Sequence, residues 1–301
     1  AYIDGEIGEI PYATRDSIGR TVDYAAGRNR YIGHLISMAS RSFKDKRVGL
    51  DCSNGSASTI AKSVFDALGA KTYVINNHPD GTNINTNCGS THIESLVEAV
   101  VEHKADLGIA FDGDADRLLA VDEQGNMVDG DQLMAICGNY MKSQGKLKKD
   151  TIVATVMSNL GFFLMAEREN LMVEQTKVGD RYVLERMKEI DASLGGEQSG
   201  HIIFGKHANT GDGLLTAIKV MEVMLDKKES LGTLTAALYT TSLLGFSNGG
   251  VVKAANGNVV RAANGIVTGT TYSGDEVPAL LNAGEVVLNR AQAGALASDL
   301  E

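Results

Sequence analysis

No stretch of the 301 residues approaches the ~20 consecutive apolar residues that a membrane-spanning helix needs, so no such span and no membrane partner is expected. Basic residues are also in short supply. Lys and Arg number 28 against 38 Asp and Glu, a formal net charge of −10. A nucleic-acid scaffold would show a basic face, so that class is disfavoured. The balance suits a soluble enzyme whose one site is locally basic or filled by a metal. Cysteine is scarce too. Cys52, Cys88 and Cys137 leave at least one unpaired and form no close metal pair, which suits a reducing, cytoplasmic setting. Tryptophan is absent and only three prolines occur, too few to argue from. The first twenty residues hold six charges and a proline, unlike the apolar core of a signal peptide. Residue 1 is Ala rather than Met, as in a chain cut from something larger.

What is present is a globular composition, 43% hydrophobic and 22% charged, with length enough for two or three domains. Residues 1–16 read as a remnant or linker. Thr21 to Ser42 has helical apolar spacing. Arg47 to Cys52 reads as a strand, Ser53-Asn-Gly-Ser56 as a plain strand-to-helix turn, and Ala57 to Leu68 as a helix stopped by Gly69. Lys71 to Ile75 completes a βαβ unit, which implies a parallel pair. A helix over Ile93 to Ala105 leads to a buried strand, Leu107 to Phe111. A hairpin follows, Leu118 to Val121 and Met127-Val128 around Gln124-Gly-Asn126. Asp131 is expected to cap the next helix. After a basic hinge, Lys146 to Lys149, a second α/β run begins. It has strands at Thr151 to Met157 and Met172 to Gln175, a helix from Gly161 to Arg168, and a helix from Arg181 to Ile190 capped by Asp180. A Gly-rich segment then runs into Ile202-Ile-Phe204, and Asp212 caps a helix over Gly213 to Leu225. The expected divisions are 17–148, 149–243 and 244–301.

From residue 244 onward the composition shifts to nine Gly, six Asn and ten Ala, with three basic residues. Val251-Val-Lys-Ala-Ala-Asn-Gly257 is nearly repeated as Val259-Val-Arg-Ala-Ala-Asn-Gly265. Asn-Gly is a tight-turn signal, so short strands and turns are expected there, packed less well than the body. Val277 to Ala293 is apolar enough for one short strand or helix.

Three constellations carry chemistry. In Phe111-Asp-Gly-Asp-Ala-Asp-Arg117 a buried strand ends in three carboxylates at spacing two. Extended backbone puts Asp112, Asp114 and Asp116 on one side, where they repel one another without a cation. Hard oxygen ligands suit Mg²⁺, and Arg117 adds an anion-binding fork. An EF-hand shares the spacing, and Glu123 stands at its twelfth position. However, the sixth must be Gly and is Arg117, and the flanks are strands. An aspartyl-phosphate phosphatase also uses Asp-x-Asp after a buried strand, and a solvated acidic turn would read the same way. In Gly196-Glu-Gln-Ser-Gly-His201, Glu197 and Ser199 can point into one cleft and suit sugar hydroxyls, while His201 could move protons or touch phosphate. A tight hairpin with a polar tip is the plainer reading. In Thr176-Lys-Val-Gly-Asp-Arg181, Lys177 and Arg181 at a helix start would make an anion site, against ordinary capping by Asp180.

Taken together and in order, these residues resemble the phosphohexomutase superfamily, nearest its glucosamine-phosphate branch. Asp80 to Asn85 with Cys88-Gly89, Asp112 to Arg117, Val128-Asp-Gly-Asp131, Val156 to Asn159, Lys177 to Tyr182, Gly196 to His201 and Thr210 to Gly213 carry the resemblance. It spans residues 17 to 243 and decides against the phosphatase. It implies two tandem three-layer α/β domains with mixed sheets, the second and third of the superfamily's four. It implies an isomerase that moves a phosphoryl group between O6 and O1 of a hexosamine phosphate through a sugar bisphosphate, with Mg²⁺ as cofactor. Asp112, Asp114 and Asp116 would be its ligands. Glu197, Ser199, Gly179, Asp180 and Arg181 would contact the sugar phosphate, with Arg117, Lys177 and His201 in support near the reacting oxygens. The superfamily's Ser-His-Asn-Pro phosphoserine stretch and its fourth-domain phosphate loop do not occur in these 301 residues. Asp275 to Asn289 instead resembles the C-terminal region of phage tail tape-measure proteins. Two alternatives therefore accompany the main reading: a virion structural protein carrying a relic mutase segment, and a relative acting on mannose or glucose phosphates.

Overall fold

Contiguous apolar runs make the central strands. Five residues, Leu107–Phe111, are buried throughout as β3, and Thr151–Thr155 likewise as β6. Such runs need cover on both faces, which helices supply. The computed structural model describes residues 5, 12–20 and 22–238, and beyond them the backbone of strands 251–253, 259–263 and 266–268.

The first unit opens with α1 (Ala25–Met38), then β1 (Arg47–Asp51), α2 (Ala61–Ala67) and β2 (Lys71–Ile75). α2 is shorter than expected because Ser56–Thr59 forms a separate 3-10 turn, and Gly69 ends the crossover at φ +94°. Next come α3 (Glu94–His103), β3, β4 (Leu118–Val121) and β5 (Met127–Val128). The sheet order is β2-β1-β3-β4-β5. β1 pairs in parallel with β2 and β3, and β3, β4 and β5 are antiparallel in turn. The sheet is mixed, as expected.

The second unit consists of α4 (Gly130–Ser143), β6, α5 (Leu160–Arg168), β7 (Met172–Thr176), α6 (Asp180–Ile190), β8 (Leu194–Gly196), β9 (Ile202–Phe204) and α7 (Gly213–Lys227). Its order is β7-β6-β8-β9, with only β8 and β9 antiparallel. Residues 231–238 are helical. α4 packs on β8, α5 and α7, and so lies with this sheet. The expected division at 148/149 falls after it.

Two caps differ from expectation. Asp129, not Asp131, caps α4: its carboxylate accepts the Gln132 N–H at 3.0 Å, and the Gln132 side chain accepts the Asp129 N–H at 2.9 Å. This reciprocal box satisfies two orphan donors at once. Asp131 sits inside the first turn, fully buried. α6 begins at Asp180 itself, with Gly179 in the capping position.

One buried cluster runs from Leu35 through Val48, Ile109, Ile152 and Met221 to Leu238, joining the two units. A smaller cluster, including Leu96 and Val100, lies between α3 and the first sheet. Another, including Val183 and Met187, lies between α6 and the second. Each sheet is thus a middle layer between helices.

Beyond residue 238 the described backbone is β10 (Val251–Lys253), β11 (Val259–Ala263) and β12 (Ile266–Thr268), an antiparallel sheet in chain order. The two copies of the repeat pair with each other, Val252 opposite Val260. The expected element over Val277 to Ala293 lies outside the described residues.

Candidate functional site

The loop between β3 and β4 bears the three aspartates. Asp112, Asp114 and Asp116 each offer an oxygen, and these oxygens lie within 4.8 Å of one another. Asp112 is only 9% exposed and accepts the Arg117 N–H at 3.2 Å. Burial, with Asp116 and Asp114 beside it, pushes its carboxyl up to about 6. A cation among the three oxygens would reverse that pressure. An all-carboxylate, hard-oxygen set fits Mg²⁺ and offers nothing to a softer metal. The Arg117 Nε stands 3.9 Å from the Asp112 carboxylate.

The loop is supported from below by the turn that sequence analysis takes as a plain connection. The Ser56 N–H donates to the Gly113 carbonyl at 2.9 Å, and the Ser53 hydroxyl donates to the Phe111 carbonyl. Buried Asp51 orders that floor by accepting from the Ser53 N–H, the Gly89 N–H and the Asn76 amide at 2.9, 2.9 and 3.0 Å. Burial raises its carboxyl above the ordinary range. The available signal was topological: β1 and β3 are parallel neighbours, so the loops after both meet at one edge of the sheet.

From the other side comes the turn between β8 and β9. The Leu118 N–H donates to the Gly200 carbonyl at 3.1 Å, and Arg117 pairs with His201 in an isolated antiparallel bridge. His201 is 1% exposed; its Nδ1 lies 3.1 Å from the Asp116 Oδ2, and its Nε2 accepts the Gly211 N–H at 2.9 Å. Both ring nitrogens are therefore engaged within the protein. Gly200 stands at φ +93°, and a Cβ there would lie 2.1 Å from the Leu118 carbonyl oxygen.

Glu197 is 9% exposed, and its Oε1 accepts the Gly179 N–H at 2.9 Å. The Thr176-to-Arg181 and Gly196-to-His201 segments are thus tied together. Ser199, Lys177, Asp180 and Arg181 stand exposed on these two loops. The Arg181 guanidinium is turned along α6 to Glu185 at 2.8 Å.

Two carboxylates at the start of α4, half-buried Asp129 and fully buried Asp131, are also engaged. Asp129 accepts the Gln198 amide at 3.2 Å, and Gly130 N–H donates to the Gln198 carbonyl at 3.0 Å. Asp131 accepts the Ser158 hydroxyl at 2.8 Å and the Asn159 N–H at 2.7 Å. Burial raises both carboxyls, that of Asp131 to about 6. Elsewhere, an open groove lined by Lys44, Asp45, Arg47, Lys62, Asp66 and Lys71 lies at the opposite ends of β1 and β2.

The family model described as phosphoglucomutase/phosphomannomutase, alpha/beta/alpha domain II matches residues 29–125, and that for domain III matches 129–242. A phosphoglucosamine mutase of Lachnoclostridium phytofermentans is 61% identical over 237 residues, covering 79% of this chain and 53% of that protein. One of Lachnospira eligens is 62% identical over 237 residues, with the same coverage. The chain therefore spans about half the length of these relatives. Among solved structures, a phosphoglucomutase/phosphomannomutase family protein of Burkholderia thailandensis superposes with a TM-score of 0.63 at 24% identity, over 70% of this chain and 46% of that one. An N-acetylphosphoglucosamine mutase of Aspergillus fumigatus, in complex with GlcNAc-6P and magnesium, does so at 0.56 and 17% identity, over 70% and 53%. These two show a shared fold. The matches favour the mutase reading over a virion component. The chain belongs to the phosphoglucomutase/phosphomannomutase family and carries its domains II and III.

Proposed function

We propose that this chain forms the cation-binding and sugar-binding part of a phosphoglucosamine mutase, which interconverts glucosamine 6-phosphate and glucosamine 1-phosphate through the 1,6-bisphosphate. The carrying observation is the triad of carboxylate oxygens within 4.8 Å, in a loop seated against the hairpin that bears Glu197 and Ser199. Asp112, Asp114 and Asp116 hold Mg²⁺, which when bound neutralises charge as the phosphoryl group passes. Glu197 and Ser199 contact the sugar. The Gly179 N–H fixes one Glu197 oxygen and so sets the carboxylate's orientation. Gly179, Asp180 and Arg181 at the start of α6 line the same side, where a helix N-terminus favours an anion. Lys177 and Arg117 supply positive charge beside the phosphate, and His201 supports them from its buried seat. The three buried, unpaired cysteines suit a reducing compartment, and we place the protein in the cytoplasm.

The cation site is tested by titration calorimetry with Mg²⁺ or Mn²⁺. One site is expected in the wild type and none in Asp114→Ala. Equal binding by both would sink the assignment.

A further inference from the structure

Between Glu197 and Ser199 in the β8–β9 turn stands Gln198, half-buried and bound to the start of α4 by both side chain and main chain. Its amide donates to the Asp129 Oδ2 at 3.2 Å, and its carbonyl accepts the Gly130 N–H at 3.0 Å. An ionised carboxylate only accepts, so the amide must present its nitrogen to Asp129. The other oxygen, Oδ1, accepts the Gln132 N–H at 3.0 Å and caps α4, so the carboxylate is held at both ends. Asp131 accepts from Ser158 and Asn159 and fixes the same helical turn to the loop after β6. Gly130 permits the close approach: a Cβ there would lie 2.8 Å from the Gln198 carbonyl oxygen. The cation loop has supports of its own that do not involve Gln198, the Ser56 N–H at the Gly113 carbonyl and the Ser53 hydroxyl at the Phe111 carbonyl.

We propose that Asp129 and Gln198 are a pair of positioning residues. The first turn of α4 grips the middle residue of Glu197-Gln-Ser199 and so fixes how the two flanking side chains are presented to the sugar. The proposal rests on the reading of Glu197 and Ser199 as the sugar-contacting residues. A turn gripped at its centre is already ordered when ligand arrives, whereas a released one must be ordered on binding, at a cost in affinity. The gripping bond ends on a charge, which makes it one of the stronger kind. The Val128-Asp-Gly-Asp131 stretch thus serves the sugar site without touching the sugar.

The test is calorimetry on the whole chain, with glucosamine 6-phosphate in saturating Mg²⁺ and, separately, with Mn²⁺. Gln198→Ala should bind the sugar phosphate about tenfold more weakly. Its Mn²⁺ affinity should stay within about threefold of wild type, as for independent sites. Gln198→Glu should bind the sugar phosphate more weakly still, because two carboxylates then face each other. Adding Asp129→Asn to Gln198→Glu should restore the affinity. The new amide oxygen keeps the α4 cap, and its N–H donates to the introduced carboxylate, the same bond with its polarity reversed. Unchanged sugar-phosphate affinity in Gln198→Ala would overturn the pair. So would a Mn²⁺ affinity that falls as far as that for the sugar phosphate, or a Gln198→Glu defect that Asp129→Asn does not relieve. If Gln198→Glu does not fold, the split between the two ligands in Gln198→Ala decides. No glucosamine 6-phosphate binding by the wild type would overturn the sugar-binding reading itself, and the proposal with it.

Discussion

At Asp112, burial and two neighbouring carboxylates act in the same direction. Together they push its carboxyl up to about 6 from an ordinary 3.8, and burial pushes that of Asp131 up to about 6 as well. The sign follows from linkage. A carboxyl raised in the fold binds more protons folded than unfolded between the two values, so its contribution to stability is present below about 4 and lost as pH rises through about 6. The cation-free protein should therefore unfold more readily at pH 7 than at pH 5 as far as these two groups decide. Saturating Mg²⁺ should remove the part due to Asp112 and leave that due to Asp131. Denaturant midpoints between pH 4 and 8, with and without Mg²⁺, check this; Asp112→Asn should flatten the cation-free profile. An unchanged slope in that variant would show that Asp112 is not the strained group.

At the scale of elements, the site depends on a hairpin resting on the first turn of a helix. A Cβ on Gly130 would lie 2.2 Å from the Glu197 carbonyl oxygen and 2.7 Å from the Gly200 nitrogen. Both are backbone atoms that cannot rotate away. Gly130→Ala should push the β8–β9 turn off α4, costing about 1–3 kcal/mol of stability as overpacking does. Glu197 and His201 leave their seats with the turn, so sugar-phosphate and Mn²⁺ binding should both weaken. Thermal melting with calorimetry reads both effects. A variant that melts like wild type and binds normally would show that the turn does not depend on this contact.

At the scale of the whole molecule, two units share one buried cluster, with α7 reaching both β4 and β9. The Asp loop of one is held by the hairpin of the other, so neither half of the site is independent. The proposed chemistry would need a phosphoryl carrier in line with the acceptor oxygen, since positioning supplies most of the rate. No Ser-His-Asn-Pro stretch occurs in these 301 residues. A coupled assay for glucosamine 1-phosphate, with glucosamine 6-phosphate and added 1,6-bisphosphate, should therefore read background for this chain. Turnover that survives removal of host mutase would overturn that expectation. Among the described residues the shared cluster extends to Leu238, and a chain ending at residue 243 is expected to melt within a few degrees of the full one. A large fall in its melting temperature would make residues 244–301 an integral part of the fold.

Local chemistry was enough to read much of this from the amino-acid order. Apolar runs such as Leu107 to Phe111 suit a doubly covered strand, and three carboxylates at spacing two after one of them are the pattern on which the proposed cation site rests. The α4 cap was also written locally, since Asp129 has Gln132 three residues on while Asp131 has Met134. Other features have no local trace. His201 meets Asp116 across 85 residues of chain, and Glu197 meets Gly179 across 18. The Ser53–Ser56 turn becomes a floor only because β1 and β3 lie side by side. Spacing along a chain records which groups can share a face of one element. Which elements face each other is decided by how the sheets and helices bury their apolar surfaces, and that is a property of the packed molecule.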